Sequence, residues 1–358
     1  MRWSHLLVAA SSLTAAAGVR GADPPSSDDQ TPPTTEESEN GGWGAPVRIT
    51  LFWENDGTAA KIIDRTDRHY SNGLLFDMAW QPDWADDLAP HMPFADAFGA
   101  NPRTAFGFTI GHQIHTPENI STSEPIPDDW PYSGYVYASI YWQRESVRPN
   151  SIPTADHFEL DFGVVGPWAG GRNIQQAVHQ AFSEPEINGW SNQLSNEPAI
   201  NLTVRKKWRL TTGEYDSGVE VQCIPSTGFI LGTVHRRLEG DVTVRFGMNL
   251  PDDYGPPRLA DIGIATGDGW SEGFGWYVFA RGGARVVQYN MLLDGNQWKD
   301  SLGVESLPLV GEAQIGAVIR LFDLIDVGYS QTFKTHEFES QSGSDAYGAW
   351  TVSFSRTF

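Results

Sequence analysis

Segments in which apolar and polar residues alternate recur along most of the chain. A period of two residues is that of a β-strand whose two faces meet different surroundings. A lipid-facing strand of an outer-membrane barrel needs about 9 to 11 tilted residues with one apolar face, which agrees with the modest hydropathy of these segments. They span residues 48–53, 74–80, 104–109, 135–142, 157–165, 200–210, 219–223, 241–248, 275–281, 285–290, 314–321, 326–333 and 350–358.

These segments predict an all-β protein, a transmembrane antiparallel β-barrel of about twelve strands. Single-chain bacterial barrels have even strand numbers, so ten and fourteen strands are the open alternatives. The last segment supports the barrel because its aromatic residues alternate with Thr and Ser and reach the terminal Phe358. A soluble β-sandwich that ends in an edge strand is the competing fold.

The run of residues 173–182 has helical spacing instead, with apolar residues at Ile174, Ala177, Val178, Ala181 and Phe182. It predicts one short inserted amphipathic helix, capped by Asn173 and ended by Pro185. Backbone polar groups within a membrane need partners, so we expect this helix inside the lumen or against a loop. Such an insertion in a barrel chain is where function is expected.

The start of the chain has the features of an exported protein. Residues 1–22 carry an early positive charge, Arg2, then an apolar run and small residues, which predicts a signal peptide. Residues 23–45 hold six acidic residues among Pro, Ser and Thr without Lys or Arg, which predicts a disordered acidic tail. The barrel is then expected to occupy residues 46–358.

The composition excludes several classes of function. The chain has 24 Lys and Arg against 45 Asp and Glu, a formal net charge of −21. A surface that binds nucleic acid must be basic to replace the counterions of the phosphates, so nucleic acid is excluded as a partner. Cys223 is the single cysteine, which excludes an internal disulfide and any multi-thiolate metal site. Any metal would be held by oxygen or imidazole ligands.

Oxygen ligands and amides are concentrated around the first predicted turn. The sequence Trp-Glu-Asn-Asp at residues 53–56 ends one strand, and Thr-Asp-Arg-His-Tyr-Ser-Asn-Gly at residues 66–73 begins the next. Calcium prefers carboxylate, amide and carbonyl oxygens, so this rim is a candidate cation site, although no EF-hand spacing is present. The alternative is that Asn, Asp and Gly serve only as turn residues.

The predicted helix carries a histidine with several polar neighbours. His179 lies near Gln175 and is followed by Glu184 and Glu186. Histidine acts as a general base near neutral pH when a carboxylate orients it. No Gly-x-Ser-x-Gly motif or other nucleophile motif occurs, so a His that activates water would suffice for ester hydrolysis. The alternative is a histidine exposed on the polar side of the helix.

Two further polar groups are given structural roles. His112 and His115 lie three residues apart on a predicted strand, so their side chains point to opposite faces and form no common metal site. The basic run at residues 205–209 could contact phosphates, but such a cluster is more often a solvated rim or an interfacial anchor.

The order of the motifs resembles that of the outer-membrane lipid A 3′-O-deacylase family. The match is strong from about residue 48 to residue 202 and only barrel-like beyond. Besides the two motifs of the first turn, it rests on residues 113–117 (QIHTP), 129–134 (DWPYSG), 165–171 (VGPWAGG), Gln175, His179 and 189–198 (GWSNQLSNEP). Each motif alone is weak, but the ordered set is specific.

The resemblance implies a twelve-stranded barrel with a calcium-dependent esterase site between the wall and a short helix, near the outer rim. It makes His179 the base that activates water, with Asn55, Asp56 and Ser71 lining the site; Ser71 stands where the family has Thr. It also implies that calcium is held by Asp56, Ser71 and Glu184. The family's carboxylate six residues after the histidine falls here on Pro185, so Glu184 and Glu186 both remain open.

The resemblance further implies removal of an acyl or acyloxyacyl chain from lipid A by 3′-O-deacylation. The expected partners are lipid A or lipopolysaccharide, or a related glycolipid, and outer-membrane lipid, with the protein a monomer in the bacterial outer membrane. Residues 118–126 contain no Lys or Arg, and the acidic balance repels an anionic lipid, so the substrate's identity stays open. The rival functions are a non-catalytic barrel, either a channel or a structural protein, and a barrel phospholipase.

Overall fold

The computed structural model describes residues 47–57, 68–91, 103–146, 151–183, 186–214, 218–259, 263, 273–322 and 324–355. The predicted signal peptide and acidic tail lie outside these residues, as does Phe358 at the end of the last predicted strand. The barrel segment can therefore be compared with the sequence predictions, whereas the two N-terminal segments remain predictions.

The described residues form one antiparallel sheet with thirteen strand segments. Strand order follows the chain, and each segment pairs with its neighbours in sequence except β6 and β7, which both pair with β8. The segments are β1 (Arg48–Asn55), β2 (His69–Trp80), β3 (Arg103–Thr116), β4 (Ser133–Ser146), β5 (Thr154–Val165), β6 (Glu197–Trp208), β7 (Leu210–Glu214), β8 (Val219–Gly232), β9 (His235–Met248), β10 (Gly275–Asn290), β11 (Leu309–Leu321), β12 (Ile325–Lys334) and β13 (Asp345–Ser355).

The sheet closes on itself as a twelve-stranded barrel. β1 pairs with both β2 and β13, and β6 pairs with β5 on one side and β8 on the other. β7 continues β6 in the same register, because Lys207 faces Ser226 and Leu210 faces Cys223 on β8. Within the described residues, β6 and β7 thus count as one interrupted strand. The predicted fold and strand number are confirmed, and the predicted segments 275–281 and 285–290 join as β10.

Three short α-helices connect the strands: α1 (Asp83–Leu88), α2 (Gly171–Phe182) and α3 (Met291–Asp294). α2 is the predicted inserted helix, but it begins two residues earlier than expected. Its N-cap is Gly170 in a left-handed conformation, so the predicted cap at Asn173 is wrong. Of the helices that the structure describes, none has the length and apolar content needed to cross a membrane.

The two faces of the wall differ as the alternation predicted. Large apolar side chains are exposed on the outer face of almost every strand, including Leu51, Leu74, Ile110, Ile140, Phe162, Ile200, Leu231, Leu238, Phe246, Val278, Ile315 and Trp350. The neighbouring positions along each strand are polar or aromatic and buried in the lumen. Apolar residues outside and polar residues inside is the arrangement that a lipid environment requires.

The lumen is held together by buried ion pairs. Arg205 contacts Glu239 and Asp241 on β9, and it is 2% exposed. Lys207 is also buried, and its Nζ donates to the carbonyl oxygen of Tyr254 over 3.3 Å. The basic run at 205–209 is therefore a lumen cluster, and its interpretation as a solvated rim or interfacial anchor is wrong for these two side chains. Alternation places every second residue of β6 inward, where carboxylates neutralise it.

The described residues that follow β9, up to Leu259, fold back into the lumen. Tyr254 is 1% exposed, and its hydroxyl donates to Glu145 Oε1 on β4 over 2.8 Å. Arg258 Nη1 lies 2.9 Å from Glu312 Oε1 on β11, and Arg258 Nη2 lies 3.4 Å from Asp241 Oδ2 on β9. Leu259 packs against apolar residues of β1 and β2. We call this segment, Leu250 to Leu259, the plug, because it ties four sectors of the wall together across the lumen.

The plug predicts that the wild-type barrel conducts ions poorly and that loosening Arg258 changes this. Arg258→Glu would set a carboxylate against Asp241 and Glu312, and repulsion in the lumen would displace the plug. We expect a several-fold rise in the conductance of single barrels in planar bilayers.

Combining Arg258→Glu with Glu312→Arg restores an opposite-charge pair and should bring the conductance back towards that of wild type. Equal conductance in all three proteins would show that the plug does not control passage through the lumen.

Candidate functional site

Most of the loops that carry sequence motifs meet at one end of the barrel, which we call the upper rim. β1, β3 and β5 end there, and the described loop residues include 117–132, 166–183, 186–196, 291–308 and 335–344. The plug enters from the opposite end, the lower rim, where the last described strand also ends. The candidate site therefore lies on the side of the barrel away from the plug's entry.

Asn55, Asp56 and Ser71 lie together where β1 ends and β2 begins. Asn55 Nδ2 donates to the carbonyl oxygen of Ser71 over 2.7 Å, and Asn55 Oδ1 accepts from the backbone N–H of Gly57 over 2.7 Å. Asp56 is 2% exposed, and its Oδ2 accepts from the backbone N–H of Arg68 over 2.6 Å. These bonds fix the direction of the Asn55 and Asp56 side chains and gather oxygen atoms at the upper rim.

A β-bulge sets the position of Ser71. The register of β2 against β3 shifts between Tyr70 and Asn72, which leaves Ser71 as the extra residue. Its Oγ lies 2.7 Å from Thr116 Oγ1 at the end of β3, and Ser71 is 4% exposed. The sequence analysis missed Thr116 as a partner of Ser71, although Thr116 lies inside one of the recognised motifs. A bulge is not visible in the alternation of residues, so the contact could not be inferred.

The helix α2 packs on the outer face of the wall, over β3 and β4. On β3, His112 pairs in register with Leu74, which is 43% exposed and faces outward. His112 Nε2 lies 2.9 Å from the carbonyl oxygen of Ala169, just before the helix. Of the two expected locations of the helix, the lumen is therefore wrong, whereas α2 does pack against a loop, the one that carries Trp190. His115 points the other way and lines the lumen cavity, so the prediction that the two histidines lie on opposite faces is confirmed.

Two glycines allow the helix to approach the wall closely. A methyl group on Gly134 of β4 would lie 3.1 Å from Gly171 N, and a methyl group on Gly171 would lie 2.8 Å from the Trp190 ring. Gly134 also ends a register row on the outer face that runs through Ile114 and Asn72 to Asn55. The start of α2 is thus fixed to the same level of the wall as the site residues of β1.

The helix turns one narrow face toward the protein. Gly171, Gln175 and His179 are spaced by four residues and face the protein, and His179 is 9% exposed. The apolar residues Ala177, Val178 and Ala181 are exposed instead. The reading of His179 as a histidine exposed on the polar side is therefore wrong. The polar residues Arg172 and Gln180 are exposed as well, so only the face of Gly171, Gln175 and His179 meets protein.

Gln175 is fixed by a contact that the sequence analysis did not identify. The indole Nε1 of Trp190 donates to Gln175 Oε1 over 2.9 Å, and both residues are buried. Trp190 also packs with Ile114, Tyr132 and Ile187 in an apolar cluster between the helix and the wall. Gln175 and Trp190 both belong to the recognised motifs, and this shared membership was the available signal. The contact orients the turn of α2 that carries His179.

A buried histidine clamps two further loops to β2. His69 Nδ1 lies 2.7 Å from Asp345 Oδ2, and His69 Nε2 lies 3.1 Å from Asp129 Oδ1. Carboxylates only accept, so the ring donates from both nitrogens. Burial alone would raise the pKa of Asp129, but hydrogen bonds from His69 and from the backbone N–H groups of Glu118 and Trp130 outweigh it and hold this pKa below its ordinary value. We call His69 with Asp129 and Asp345 the clamp, and His69 lies two residues before Ser71 on β2.

The structure brings together part of the predicted site. Asn55 is hydrogen bonded to Ser71, Asp56 follows Asn55 in the chain, and His179 lies on α2, which packs over β3 and β4. Glu184 lies outside the described residues, whereas Glu186 is described and exposed. Among the residues that the structure describes, no group of three or more His, Cys, Asp or Glu side chains is arranged to hold a metal ion. The choice between Glu184 and Glu186 stays open.

The chain was compared with known proteins. A family described as "Outer membrane protein LpxR" matches residues 8–356. The fold is similar to LpxR from Salmonella typhimurium, with a TM-score of 0.69 and 20% identity over 86% of this chain and 100% of that chain. The translocator domain of the autotransporter NalP from Neisseria meningitidis has a TM-score of 0.41 and 10% identity over 87% of this chain and 88% of that chain. No curated protein sequence matches the chain.

A closed barrel with apolar residues outside and a polar cluster at its upper rim defines the chain as an outer-membrane β-barrel protein. The family match covers nearly the whole sequence, so the chain belongs to the LpxR family of outer-membrane proteins. This is the lipid A deacylase family, an enzyme family, that the order of the motifs indicated. The predictions of family and outer-membrane location are confirmed.

The close approach of Gly134 and Gly171 gives a test of the helix position. Gly134→Val would push α2 off the wall, and a shift of about 1 Å at a site of this kind costs about 100-fold in rate. We expect such a loss of lipid deacylation, measured by mass spectrometry of membrane lipids, with the heat-modifiable mobility of the folded barrel unchanged.

The matched control is Gly282→Val on β10, because a methyl group there would meet no atom within 4 Å. An active Gly134→Val protein would show that the helix position is not required.

The clamp predicts a local loss of stability in Asp129→Asn. The charge-assisted bonds of this mostly buried carboxylate stabilise the loop 117–132 by about 2 kcal/mol at pH 7. Because the pKa of Asp129 is lowered in the folded protein, this contribution is complete above the ordinary value of 3.8 and is lost as pH falls through the lower folded value.

Hydrogen exchange of residues 117–132 should therefore be faster in Asp129→Asn at pH 7, with the difference from wild type disappearing only below about pH 4. Asp128→Asn, at the exposed neighbouring residue, is the control. Equal exchange in wild type and Asp129→Asn at pH 7 would contradict the clamp.

Proposed function

We propose that the chain is a calcium-dependent lipid A 3′-O-deacylase in which His179 activates the attacking water. The observation that carries the proposal is the burial of His179 on the wall side of α2, on the lipid-facing exterior of the barrel. Membership of the LpxR family gives the class of reaction. The ester of an outer-leaflet lipid is reached from the exterior of the wall, so a site between helix and wall meets its substrate without passage through the lumen.

The length of the helix supports this arrangement. Three inter-strand spacings of about 4.8 Å separate Gly134 from Asn55 along their register row, about 14 Å in total. A helix of the 12 residues of α2 is about 18 Å long. The helix can thus cover the strand ends from β4 towards β1, and His179 lies eight residues beyond Gly171.

The proposed reaction is hydrolysis by water. His179 takes a proton from the water as its oxygen bonds to the carbonyl carbon of the ester, and a tetrahedral oxyanion forms. When the bond from this carbon to the sugar oxygen breaks, the imidazolium returns the proton to that oxygen. The products are a fatty acid and a lipid A with a free hydroxyl. Gln175 acts through position, because Trp190 fixes its side chain beside the histidine.

The residues at the first turn fit calcium in their chemistry. Asp56 supplies a carboxylate, and Ser71 supplies a carbonyl and a hydroxyl oxygen, all at buried positions. We assign Asp56, Ser71 and Glu184 as the calcium ligands, with Asn55 lining the site. Calcium bound there would polarise the ester carbonyl and stabilise negative charge on its oxygen. Thr116 would orient the Ser71 hydroxyl through the hydrogen bond between them.

The test is mass spectrometry of lipid A from cells that make the hexa-acylated form and express the protein. Wild type should remove one discrete acyl or acyloxyacyl mass, and chelation of calcium should prevent it. His179→Ala should lower the rate at least about 100-fold, the usual contribution of a general base. His91→Ala is the matched control, since His91 is an exposed histidine near the lower rim.

The other outcomes decide between the rival functions. Fatty acid released from phospholipid, with lipid A unchanged, would favour the barrel phospholipase. Unchanged lipid A and phospholipid around a folded, inserted barrel would favour a non-catalytic barrel. The plug argues against a passive channel, because three ion pairs with two strands, β9 and β11, hold it across the lumen.

A further inference from the structure

Two exposed tryptophans and a lysine from different loops converge on one corner of the upper rim. The corner is formed by Asn196 and Glu197 at the start of β6. Trp168 donates its backbone N–H to Asn196 Oδ1 over 2.8 Å, and Lys299 Nζ donates to the carbonyl oxygen of Asn196 over 2.6 Å. The backbone N–H of Trp298 donates to Glu197 Oε1 over 2.8 Å. None of these contacts belongs to the proposed catalytic site.

Specific backbone contacts hold the two loops at this corner. Gly166 has a φ of 106°, which favours glycine, and a methyl group on it would lie 2.7 Å from Asn196 N. Only glycine therefore lets the Trp168 turn lie against the start of β6. The loop that carries Lys299 is attached by reciprocal bonds, because Asn296 Oδ1 accepts from Ser195 N over 2.8 Å and Asn296 Nδ2 donates to Ser195 O over 2.9 Å.

The side chains of both tryptophans are exposed on the outside of the protein. Trp168 is 79% exposed and Trp298 is 58% exposed. Below them on the wall, the outward residues Phe162, Ile200 and Leu231 are also exposed and apolar. Ile200 is three residues along β6 from Glu197, a distance of about 10 Å. The tryptophans thus lie just above a lipid-facing surface, which is where aromatic side chains mark the membrane interface.

Cations surround this pair on an otherwise acidic rim. Arg172 is exposed, four residues after Trp168, and makes no ion pair with a described residue. Arg236 stacks on Tyr289 and donates to Gln297 Oε1 over 2.7 Å, which sets it beside the loop of Lys299. Carboxylates on the loop of Lys299 and at the start of β6 include Asp300 and Glu305, which are exposed, and Glu197, which is 1% exposed and bonded by the N–H groups of Gln297 and Trp298.

We propose that Trp168, Trp298, Lys299 and Arg172 form a docking surface for the phosphorylated sugar head group of an outer-leaflet glycolipid. A lysine ammonium has three donors, and Asn196 uses one, so Lys299 keeps two for a phosphate oxygen. The tryptophans hold the surface at the depth of the lipid head groups, and α2 starts beside it. The inference rests on the proposed function in one respect, that the docked glycolipid is the substrate of the site under α2.

The experiment measures binding apart from turnover. Purified His179→Ala protein in detergent is titrated with radiolabelled bisphosphorylated lipid A and with the same lipid A after removal of both phosphates. We expect the intact lipid to bind about tenfold more tightly than the dephosphorylated one. Adding Lys299→Ala and Arg172→Ala to this protein should abolish the difference in affinity. Adding Trp168→Ala and Trp298→Ala instead should weaken the binding of both lipids.

Controls separate the docking surface from a general effect. Lys206→Ala, on a lysine near the lower rim whose side chain is 35% exposed, should leave binding of both lipids unchanged. Heat-modifiable mobility reports whether each barrel is folded. Competition of equal strength by inorganic phosphate or by phosphatidylglycerol would overturn the glycolipid assignment. So would a phosphate preference that persists in the folded variant lacking Lys299 and Arg172.

Activity then distinguishes the two proposals. If wild type hydrolyses no lipid but still binds phosphorylated lipid A through Lys299 and Arg172, the proposed function fails and the docking surface stands. A second outcome is that wild type is active and that the variant lacking Lys299 and Arg172 has the same apparent KM as wild type for each of the two lipids. The docking surface is then wrong, and the proposed function stands.

Discussion

The structure depends on one constraint: every backbone polar group within a membrane must be hydrogen bonded, which here means a sheet without an edge. β1 pairs with β13, so neither strand leaves an open edge. β6 and its continuation β7 both pair with β8 in one register. Closure fixes the direction of every side chain, outward to lipid or inward to the lumen. The charged residues of the wall then have only the lumen available, and the buried arginines pair there with Glu and Asp.

The same constraint makes it difficult for a barrel enzyme to place a polar site where a lipid can reach it. A lipid ester lies outside the wall, where polar side chains have no partners, and the lumen is closed to it. The helix α2 solves this by supplying a second wall. Its glycine contact with β4 brings it close, Gln175 and His179 face the protein, and its apolar residues Val178 and Ala181 are exposed. The proposed site would then be a buried polar layer between two protein surfaces.

Much of the fold could be predicted from the sequence, because alternating apolar and polar residues along a strand show which side chains face lipid and which face the lumen. The inserted helix was also visible, but its orientation was not, since an amphipathic pattern does not say which side meets protein. In a soluble protein the apolar side is buried, whereas here the buried face carries Gln175 and His179, and Ala177, Val178 and Ala181 are exposed. The bulge at Ser71 and the plug leave no periodic signal, so neither could be inferred. Asn55, Asp56 and His179 were predicted as site residues through ordered motifs, and their roles remain predictions.

The separation of roles around the barrel follows from where each side chain can be satisfied. The lumen pairs its charges internally and is tied across by Arg258, so it contributes rigidity instead of passage. Rigidity matters because the site is assembled from β1, β2, β3 and α2, and relative motion among them would separate its parts. The clamp at His69 serves the same end, since it ties two loops to the strand that carries Ser71. A stiff interior therefore supports a reactive layer on the outer surface.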